Sequence, residues 1–260
     1  MPIVILCGGR GTRLKEETEV IPKPLVKIGD KPVLWHIMKI YKTYGFSKFI
    51  LPVGYKGEKI KEYFYNYPVF QNDFTIKLCD FSKKEINLHN PKVDDWEVTI
   101  VDTGLEAMTG ARLKKLERFI NTDLFMLTYG DGVSNVDLDQ LLNYHLEKGK
   151  MATVTGVRPP ARFGELKIDG DNVASFQEKP QVATGFINGG FFVMKKDIFK
   201  SLPDKESLSL EGDVLPQIAA KGELSVFRHD GYWQCMDTLR DVEFLNEEWR
   251  EGKAPWKIWQ

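Results

Sequence analysis

The chain reads Pro2-Ile-Val-Ile-Leu-Cys-Gly-Gly-Arg-Gly-Thr-Arg-Leu14 near its start. The run Pro2–Leu6 is apolar and rich in β-branched residues, which predicts a buried first strand. It stops at three glycines within four residues, where the backbone can approach a polyanion closely with its amide N–H groups turned towards it. Arg13 adds a cation and Thr12 a hydroxyl group. The segment therefore predicts an anion-binding loop at the carboxyl end of a strand.

The glycine spacing of this loop differs from two common nucleotide-binding patterns. Leu14 stands where the dinucleotide fingerprint GxGxxG has its third glycine, and no Gly-Lys-Ser/Thr follows as in a Walker loop. A dinucleotide-dependent oxidoreductase is therefore disfavoured, although its alternation of strands and helices would fit.

Strands and helices alternate along the rest of the chain. This alternation predicts an α/β fold: a single Rossmann-like, mixed but mainly parallel sheet flanked by helices, with a smaller second lobe. Gly45 is expected to end the first long helix and Pro68 the second. The predicted helices span Leu34–Tyr44, Ile60–Tyr67, Arg112–Phe119, Leu138–Leu146, Val214–Ala220 and Asp237–Arg250. The further predicted strands span Phe49–Val53, Val98–Val101, Phe125–Leu127, Ala152–Val157, Glu165–Ile168, Val173–Phe176, Phe191–Met194 and Leu224–Phe227.

Composition limits the possible partners. Among 260 residues, 36 Lys and Arg stand against 37 Asp and Glu, for a formal net charge of −1. We therefore expect no nucleic acid and no membrane surface as partner, and a local site for any anionic ligand. No window approaches the roughly 20 apolar residues of a membrane helix. The three cysteines, Cys7, Cys79 and Cys235, are odd in number and far apart, which favours a reduced, cytoplasmic protein.

A lysine held between prolines follows the glycine loop, in Pro22-Lys-Pro-Leu-Val26. Two prolines fix the backbone around Lys23 and so direct its ammonium group to one place. With Lys31-Pro32, these segments resemble the GGxGTRLxPxTxxxPKPxxxxxxKP pattern of the sugar-nucleotidyltransferase family. The resemblance implies that a sugar 1-phosphate attacks the α-phosphorus of a nucleoside triphosphate, with Arg13 and Lys23 stabilising the departing pyrophosphate. It assigns the triphosphate to Gly8, Gly9, Gly11, Thr12, Arg13 and Lys23, and the base to a contact with Leu6.

Two aspartates are candidates for a metal site. Asp131 follows a predicted strand in Tyr129-Gly-Asp-Gly132, and Asp237 stands at a predicted helix start. By themselves, a turn and a helix cap would explain them. The resemblance implies that Asp131 and Asp237 share one Mg²⁺ ion, that Asp131 takes part in catalysis, and that Gly130 lies beside the nucleotide.

A second lysine next to a proline, in Phe176-Gln-Glu-Lys-Pro180, is assigned by the resemblance to the sugar phosphate. Lys179 is expected to bind its phosphate and Glu178 its ring hydroxyls, whereas the residues alone would indicate an exposed ion pair. The resemblance adds Gly164, which permits close approach, and Asn188, which supplies an amide.

The segments Val101-Asp-Thr-Gly104 and Met108-Thr-Gly-Ala-Arg112 resemble those of bacterial family members that couple CTP to glucose 1-phosphate. This implies CDP-glucose as product, a precursor of CDP-linked deoxysugars in O-antigen and other surface polysaccharides. Cytosine presents an amino donor and a carbonyl acceptor. Its contacts are expected from backbone carbonyls around Thr103 or around Thr109 and Gly110, and from the guanidinium of Arg112.

Two alternatives remain open: a uridylyl- or thymidylyl-transferase acting on a hexose 1-phosphate, and a catalytically silent nucleotide-sugar sensor. The family resemblance also implies a homo-oligomer, for which the long connection Pro68–Trp96 is the candidate contact. We predict one domain over residues 1–260, with a nucleotide-binding lobe over 1–135 and a sugar-binding lobe with the C-terminal helix over 136–260.

Overall fold

The structure is a computed structural model. It describes residues 1–14, 18–78, 85–89, 91, 94–158, 165–169, 172–177 and 185–259, with the backbone alone described at 165–169 and 172–177. Within these ranges, no helix has the length and apolar character needed to cross a membrane.

The strands of the described chain fall into one large sheet and four two-stranded ladders. In chain order they are β1 (Ile3–Leu6), β2 (Lys27–Ile28), β3 (Lys31–Pro32), β4 (Lys48–Val53), β5 (Phe74–Lys77), β6 (Glu85–Leu88), β7 (Glu97–Asp102), β8 (Leu124–Tyr129), β9 (Gly132–Ser134), β10 (Ala152–Val157), β11 (Glu165–Asp169), β12 (Asn172–Gln177), β13 (Ile187–Lys195), β14 (Leu224–His229) and β15 (Trp233–Cys235).

The α-helices cover the large sheet and connect its strands. They are α1 (Val33–Thr43), α2 (Gly57–Tyr65), α3 (Tyr67–Phe70), α4 (Thr109–Lys114), α5 (Leu138–Lys148), α6 (Leu215–Ala220) and α7 (Leu239–Arg250). Short 3₁₀ turns span Lys23–Leu25, Glu117–Phe119 and Lys196–Ser201, and a π-helical turn spans Leu210–Val214.

The large sheet has the strand order β14-β10-β13-β8-β1-β4-β7. The neighbours β14 and β10 are parallel, as are β8, β1, β4 and β7 along the other side, whereas β13 is antiparallel to both of its neighbours. The predicted mixed, mainly parallel α/β sheet is therefore confirmed. Because β13 runs in the opposite direction, its first residues lie at the same sheet edge as the last residues of β1 and β8.

Both faces of this sheet are buried, which explains why the first strand is uniformly apolar. Ile3 and Ile5 belong to one core cluster, whereas Val4 and Leu6 belong to another. Successive side chains of a strand point to opposite faces, so the two clusters are the two layers between sheet and helices. The carboxyl edge of β1 is thereby held rigidly from both sides.

Two predicted helix ends are wrong in detail. Pro68 does not end the second helix: α2 ends at Tyr65, and Pro68 lies in the first turn of α3. Proline is tolerated there because the first amide groups of a helix have no intrahelical acceptor. The helix expected over Arg112–Phe119 is interrupted, since α4 ends at Lys114 and a 3₁₀ turn covers Glu117–Phe119.

Candidate active site

A cleft of about 570 Å³ lies at the carboxyl edge of β1 and β8, within the size range of small-molecule sites. Its wall combines the glycine loop, the start of α4, the turn after β8, the start of β13 and the segment around β15. The lining residues are Leu6, Cys7, Gly8, Gly9, Gly11, Thr12, Arg13, Lys23, Pro24, Ala107, Met108, Thr109, Arg112, Thr128, Tyr129, Gly130, Asp131, Gly132, Asn188, Gly189, Phe191, Glu211, Trp233, Cys235 and Asp237.

The glycine loop presents free amide groups to this cleft. Between Cys7 and Leu14, no backbone N–H donates a hydrogen bond to another described residue, whereas Cys7 donates to Pro52 and Leu14 to Gly11. Such a row of backbone donors suits a polyanion. The loop is thus anchored at both ends and open between them.

Lys23 is fixed by its neighbours as expected. It begins a 3₁₀ turn between Pro22, whose φ is −68°, and the buried Pro24. Its side chain is only 11% exposed, and its Nζ donates at 2.6 Å both to Oδ2 of Asp131 and to Oδ1 of Asp237. The prolines therefore hold one ammonium group between two carboxylates.

The pairing of β9 with β15 brings these two aspartates together. Cys235 lies opposite Gly132 in this antiparallel ladder, and the amide of Met236 donates to the backbone oxygen of Asp131 at 2.8 Å. Asp131 and Asp237 therefore flank the end of the same ladder, although they are far apart in the chain. The sequence contains no periodicity that would reveal a ladder of three residues per strand.

Thr238, and not Asp237, caps α7. Its hydroxyl accepts from the amide of Asp241, while the Asp241 carboxylate accepts from the amide of Thr238, which forms a capping box. Asp237, for which the residues alone would indicate a helix cap, therefore does not cap α7. The Asp237 side chain is left to face the cleft.

The charges in this group shift one another's titration. Burial alone would lower the pKa of Lys23, but the charges and hydrogen bonds of Asp131 and Asp237 outweigh it, and the pKa lies above its ordinary value. Burial alone would raise the pKa of Asp237, yet Lys23 and then Arg13, which donates to it at 2.6 Å, lower it. Lys23 and Asp237 therefore stay charged at neutral pH.

Arg112 has a structural role that the sequence does not indicate. Arg112 is only 4% exposed, and its hydrogen bonds connect the glycine loop to the ends of β4 and β7. Its Nη1 and Nη2 donate to the backbone oxygens of Gly8, Val53, Gly104 and Leu105 and to the hydroxyl of Thr103. The sequence predicted that the guanidinium of Arg112 contacts cytosine. Only its Nε–H makes no hydrogen bond with the described residues, so only this group is left for such a contact.

Most of the predicted site residues that the structure describes line the cleft, but two of them do not. Thr103 is buried, and its hydroxyl donates to the backbone oxygen of Val53 at 2.7 Å. Gly110 lies under the cleft wall, where an added Cβ would approach the backbone oxygen of Leu208 to 2.9 Å. The predicted sugar-phosphate residues Gly164, Glu178 and Lys179 lie outside the described residues.

Sequence reasoning missed further cleft residues, among them Tyr129, Glu211, Trp233 and Cys235. Glu211 accepts from Tyr129 and Thr109, while Trp233 donates to the backbone oxygen of Gly189. Cys235 lies beside Asp237, and burial followed by that carboxylate raises the pKa of its thiol to about 12. Glu211, Trp233 and Cys235 lie in no motif that predicts a binding site. Tyr129 adjoins the predicted site residues Gly130 and Asp131, which is the only signal that could have identified it.

Comparison with known proteins agrees with this geometry. The sequence profile of the family described as Nucleotidyl transferase matches residues 3–243. The chain is 48% identical over 261 residues to the glucose-1-phosphate cytidylyltransferase of Salmonella typhi, and 44% identical over 259 residues to the probable glucose-1-phosphate cytidylyltransferase of Bacillus subtilis. In both cases 100% of each chain is covered. The solved structure of HddC from Yersinia pseudotuberculosis complexed with GMP-PN has a TM-score of 0.68 at 26% identity, covering 95% of this chain and 99% of that one.

Proposed function

This chain belongs to the nucleotidyl transferase family, and on that premise we propose that it transfers the cytidylyl group of CTP to α-D-glucose 1-phosphate. The products are CDP-glucose and pyrophosphate. Full-length identity of 48% and 44% to proteins named for this reaction supports the choice of base and sugar. We further propose that the CDP-glucose is used in the synthesis of O-antigen.

The geometry of the cleft supports the proposal independently of sequence similarity, because two cations and two carboxylates lie together beside the glycine loop. Arg13 and Lys23 both contact Asp237, at 2.6 Å each, and the open amide groups of residues 8–13 adjoin them. A triphosphate seated on the loop would therefore have fixed positive charge at its β,γ end. Such preorganised charge is what expulsion of pyrophosphate requires.

The reaction requires one bond to form and one to break. An oxygen of the sugar phosphate forms a bond to the α-phosphorus, and the bond from that phosphorus to the bridging oxygen of the β-phosphate breaks. The electron pair leaves with pyrophosphate, where the amide groups of the loop, Arg13 and Lys23 stabilise it. The attacking phosphate is already ionised, so no protein base has to remove a proton.

The residues fit the predicted Mg²⁺. Asp131 and Asp237 each place a carboxylate oxygen 2.6 Å from one point, the Nζ of Lys23, and oxygen ligands are those that Mg²⁺ prefers. Among the described residues, no cluster of three or more His, Cys, Asp or Glu converges. Mg²⁺ is commonly bound by one or two carboxylates together with substrate phosphates. When bound, Mg²⁺ would neutralise phosphate charge beside Lys23.

We propose that the two predicted lobes bind different substrates. We assign residues 1–135 mainly to the nucleotide and 136–260 mainly to the sugar, whose phosphate is assigned to Lys179 and whose hydroxyls to Glu178, Gly164 and Asn188. Asn188 supports this assignment because it lines the cleft at the start of β13, within the second of these ranges. The base is assigned to Leu6, Thr109 and the Nε–H of Arg112.

Initial rates of pyrophosphate release test this function. CTP, UTP, dTTP and ATP are each supplied with Mg²⁺ and glucose 1-phosphate, and CTP is then supplied with other hexose 1-phosphates. We expect fast release only with CTP and glucose 1-phosphate. A preference for UTP or dTTP would overturn the base assignment, and absence of release from a protein that still binds nucleotide would favour a sensor.

We also propose that a second copy of this chain covers the hairpin β5–β6. The register pairs Phe74 with Leu88 and Ile76 with Ile86, so one face of this two-stranded sheet is wholly apolar. None of the four is buried, and Phe74 and Ile86 are 43% and 42% exposed. Such a face marks an interaction site. Light scattering of a Phe74→Ser, Ile86→Ser variant should show a lower mass than wild type, and an unchanged mass would remove the idea.

A cytoplasmic location remains our proposal as well. It rests on cysteine usage: within the described chain, Cys7 and Cys235 are free thiols, as expected in a reducing compartment.

A further inference from the structure

A chain of oriented hydrogen bonds crosses the cleft wall and ends on Glu211. The amide of Gly190 donates to Oδ1 of Asn188 at 2.8 Å, and Nδ2 of Asn188 donates to the Tyr129 hydroxyl at 2.9 Å. The Tyr129 hydroxyl in turn donates to Oε1 of Glu211 at 2.7 Å. Burial and then the charge of Glu211 raise the pKa of Tyr129, so its proton stays in this bond. Every direction is fixed, because a carboxylate only accepts.

The other oxygen of Glu211 is held from the nucleotide side of the cleft. The Thr109 hydroxyl donates to Oε2 at 2.6 Å and accepts from the amide of Leu210 at 2.9 Å. The Ser209 hydroxyl lies 3.2 Å from the same oxygen. Both carboxylate oxygens are thus oriented by neutral hydroxyl groups.

The backbone around Glu211 is built to hold this position. Glu211 lies in the π-helical turn Leu210–Val214, a conformation that is rare and frequently found at functional sites. The amide of Ala111 donates to Leu208 at 3.0 Å. A Cβ at Gly110 would lie 2.9 Å from the backbone oxygen of Leu208 and 3.1 Å from the amide nitrogen of Leu210. Close packing of this turn on α4 therefore depends on the glycine.

The charge of Glu211 determines which part of a ligand it can meet. Its side chain lines the cleft and is exposed, and its side-chain hydrogen bonds with described residues come from the hydroxyl groups of Tyr129, Thr109 and Ser209. The cleft cations Arg13 and Lys23 are engaged with the carboxylates of Asp131 and Asp237 instead. A phosphate would be repelled by Glu211, whereas a hydroxyl group would be accepted by its remaining lone pairs.

Resting on the proposed function, we propose that Glu211 is a specificity-determining residue that accepts a hydrogen bond from one ring hydroxyl of the acceptor sugar. Tyr129 and Thr109 already donate to the carboxylate, so the sugar must supply the proton of this bond. Asn188, assigned to the sugar and joined to Glu211 through Tyr129, places the carboxylate on the sugar's side. A hydroxyl group of the CTP ribose is the other group that could donate such a hydrogen bond to Glu211.

The test combines Glu211→Gln with substrates that each lack one hydroxyl group. Wild type and variant are assayed with glucose 1-phosphate, with its 2-, 3-, 4- and 6-deoxy analogues, and with dCTP in place of CTP. We expect the variant to lose roughly 10- to 100-fold in kcat/KM for glucose 1-phosphate, as for a hydrogen bond to a charged group. With one deoxy analogue, wild type and variant should be nearly equal, while the KM for CTP is unchanged.

Three results would overturn the proposal. One is an equal loss with every deoxy sugar, which indicates only a structural role. Another is a loss that vanishes with dCTP, which assigns Glu211 to the ribose. The third is a variant as active as wild type on glucose 1-phosphate. Glu117→Gln, which removes an exposed carboxylate that pairs with Lys114 outside the cleft, is the matched control.

The proposed function can fail separately from this proposal. If wild type released no pyrophosphate with any nucleotide, calorimetric binding of glucose 1-phosphate and its deoxy analogues to wild type and Glu211→Gln would replace the kinetic comparison. The same pattern is expected in the affinities. Circular dichroism melting of the variant keeps a folding defect distinct from a lost contact.

Discussion

Replacing Lys23 by Met removes the cation that bridges the two aspartates while keeping the length of the side chain. The Lys23 ammonium lies 2.6 Å from both Asp131 and Asp237, whose side chains are 28% and 19% exposed. In the variant two partly buried carboxylates face each other, and only Arg13 still contacts one of them. Both a structural and a catalytic effect follow.

The structural effect can be estimated from this burial. Removing one partner of a fully buried ion pair costs about 3–5 kcal/mol, whereas an exposed pair contributes about 0–1 kcal/mol. The carboxylates lie between these limits and Arg13 remains, so we expect the free energy of unfolding to fall by about 2 kcal/mol in metal-free buffer. Mg²⁺ should restore more stability to the variant than to wild type, because it relieves the repulsion between Asp131 and Asp237.

The catalytic effect, in contrast, should persist when metal is added. Loss of one fixed charge that stabilises the departing pyrophosphate should lower kcat by about 100- to 1,000-fold. Added Mg²⁺ should not recover this loss, since the ammonium itself is missing.

Urea unfolding with and without Mg²⁺, together with pyrophosphate release, measures both effects. Lys48→Met, which removes an exposed lysine paired with the exposed Glu97, controls for loss of a surface charge and should change stability by less than about 0.5 kcal/mol. If Lys23→Met were as stable as wild type without metal, or if Mg²⁺ stabilised both proteins equally, Lys23 would not be what holds the two carboxylates together.

Gly8→Ala should lower the free energy of unfolding by about 1–3 kcal/mol in thermal melts, because the added Cβ would lie 2.2 Å from Cζ of Arg112. The control Gly9→Ala should melt like wild type, because its Cβ would meet no atom within 4 Å. Thr238→Ala should cost about 1 kcal/mol in urea unfolding by removing the cap of α7; an unchanged midpoint would show that the cap is not needed. Burial lowers the pKa of His36 to about 4, so the unfolded chain binds the proton first and stability falls as the pH drops from about 6.5 towards 4, by up to about 3 kcal/mol. His36→Asn should show a smaller fall in tryptophan-monitored unfolding at these pH values; an equal fall would assign the effect to other groups.

Local sequence signals predicted the elements that one stretch of chain can specify by itself. The strand Ala152–Val157 was predicted with its observed bounds, and Gly45, at a φ of +82°, closes the turn after α1 as expected. Such elements have strong periodicity and end at residues with restricted or unusual backbone preferences. The pairs β2–β3, β5–β6 and β9–β15 were missed because they are short, and because β9 and β15 are far apart in the chain.

The residues of the candidate site also fall into those that a local motif predicts and those that only the fold brings together. The glycine loop and Lys23 were found because they are contiguous motifs with a direct chemical meaning. The hydrogen bonds of Arg112 and the position of Glu211 depend on how the ends of β4, β7 and the π-helical turn pack together, which no local pattern encodes. Asp131 and Asp237 were paired only through the family resemblance, and the ladder β9–β15 gives the physical reason for their contact.

Labelled phosphorus atoms show which phosphate of CTP reaches the sugar. CTP labelled at the α-phosphate and CTP labelled at the γ-phosphate are each incubated with the protein, unlabelled glucose 1-phosphate and Mg²⁺, and the products are separated. Transfer of a cytidylyl group predicts that the α label appears only in CDP-glucose and the γ label only in pyrophosphate. A γ label in the sugar product or in free phosphate, or an α label that never reaches a sugar, would contradict it.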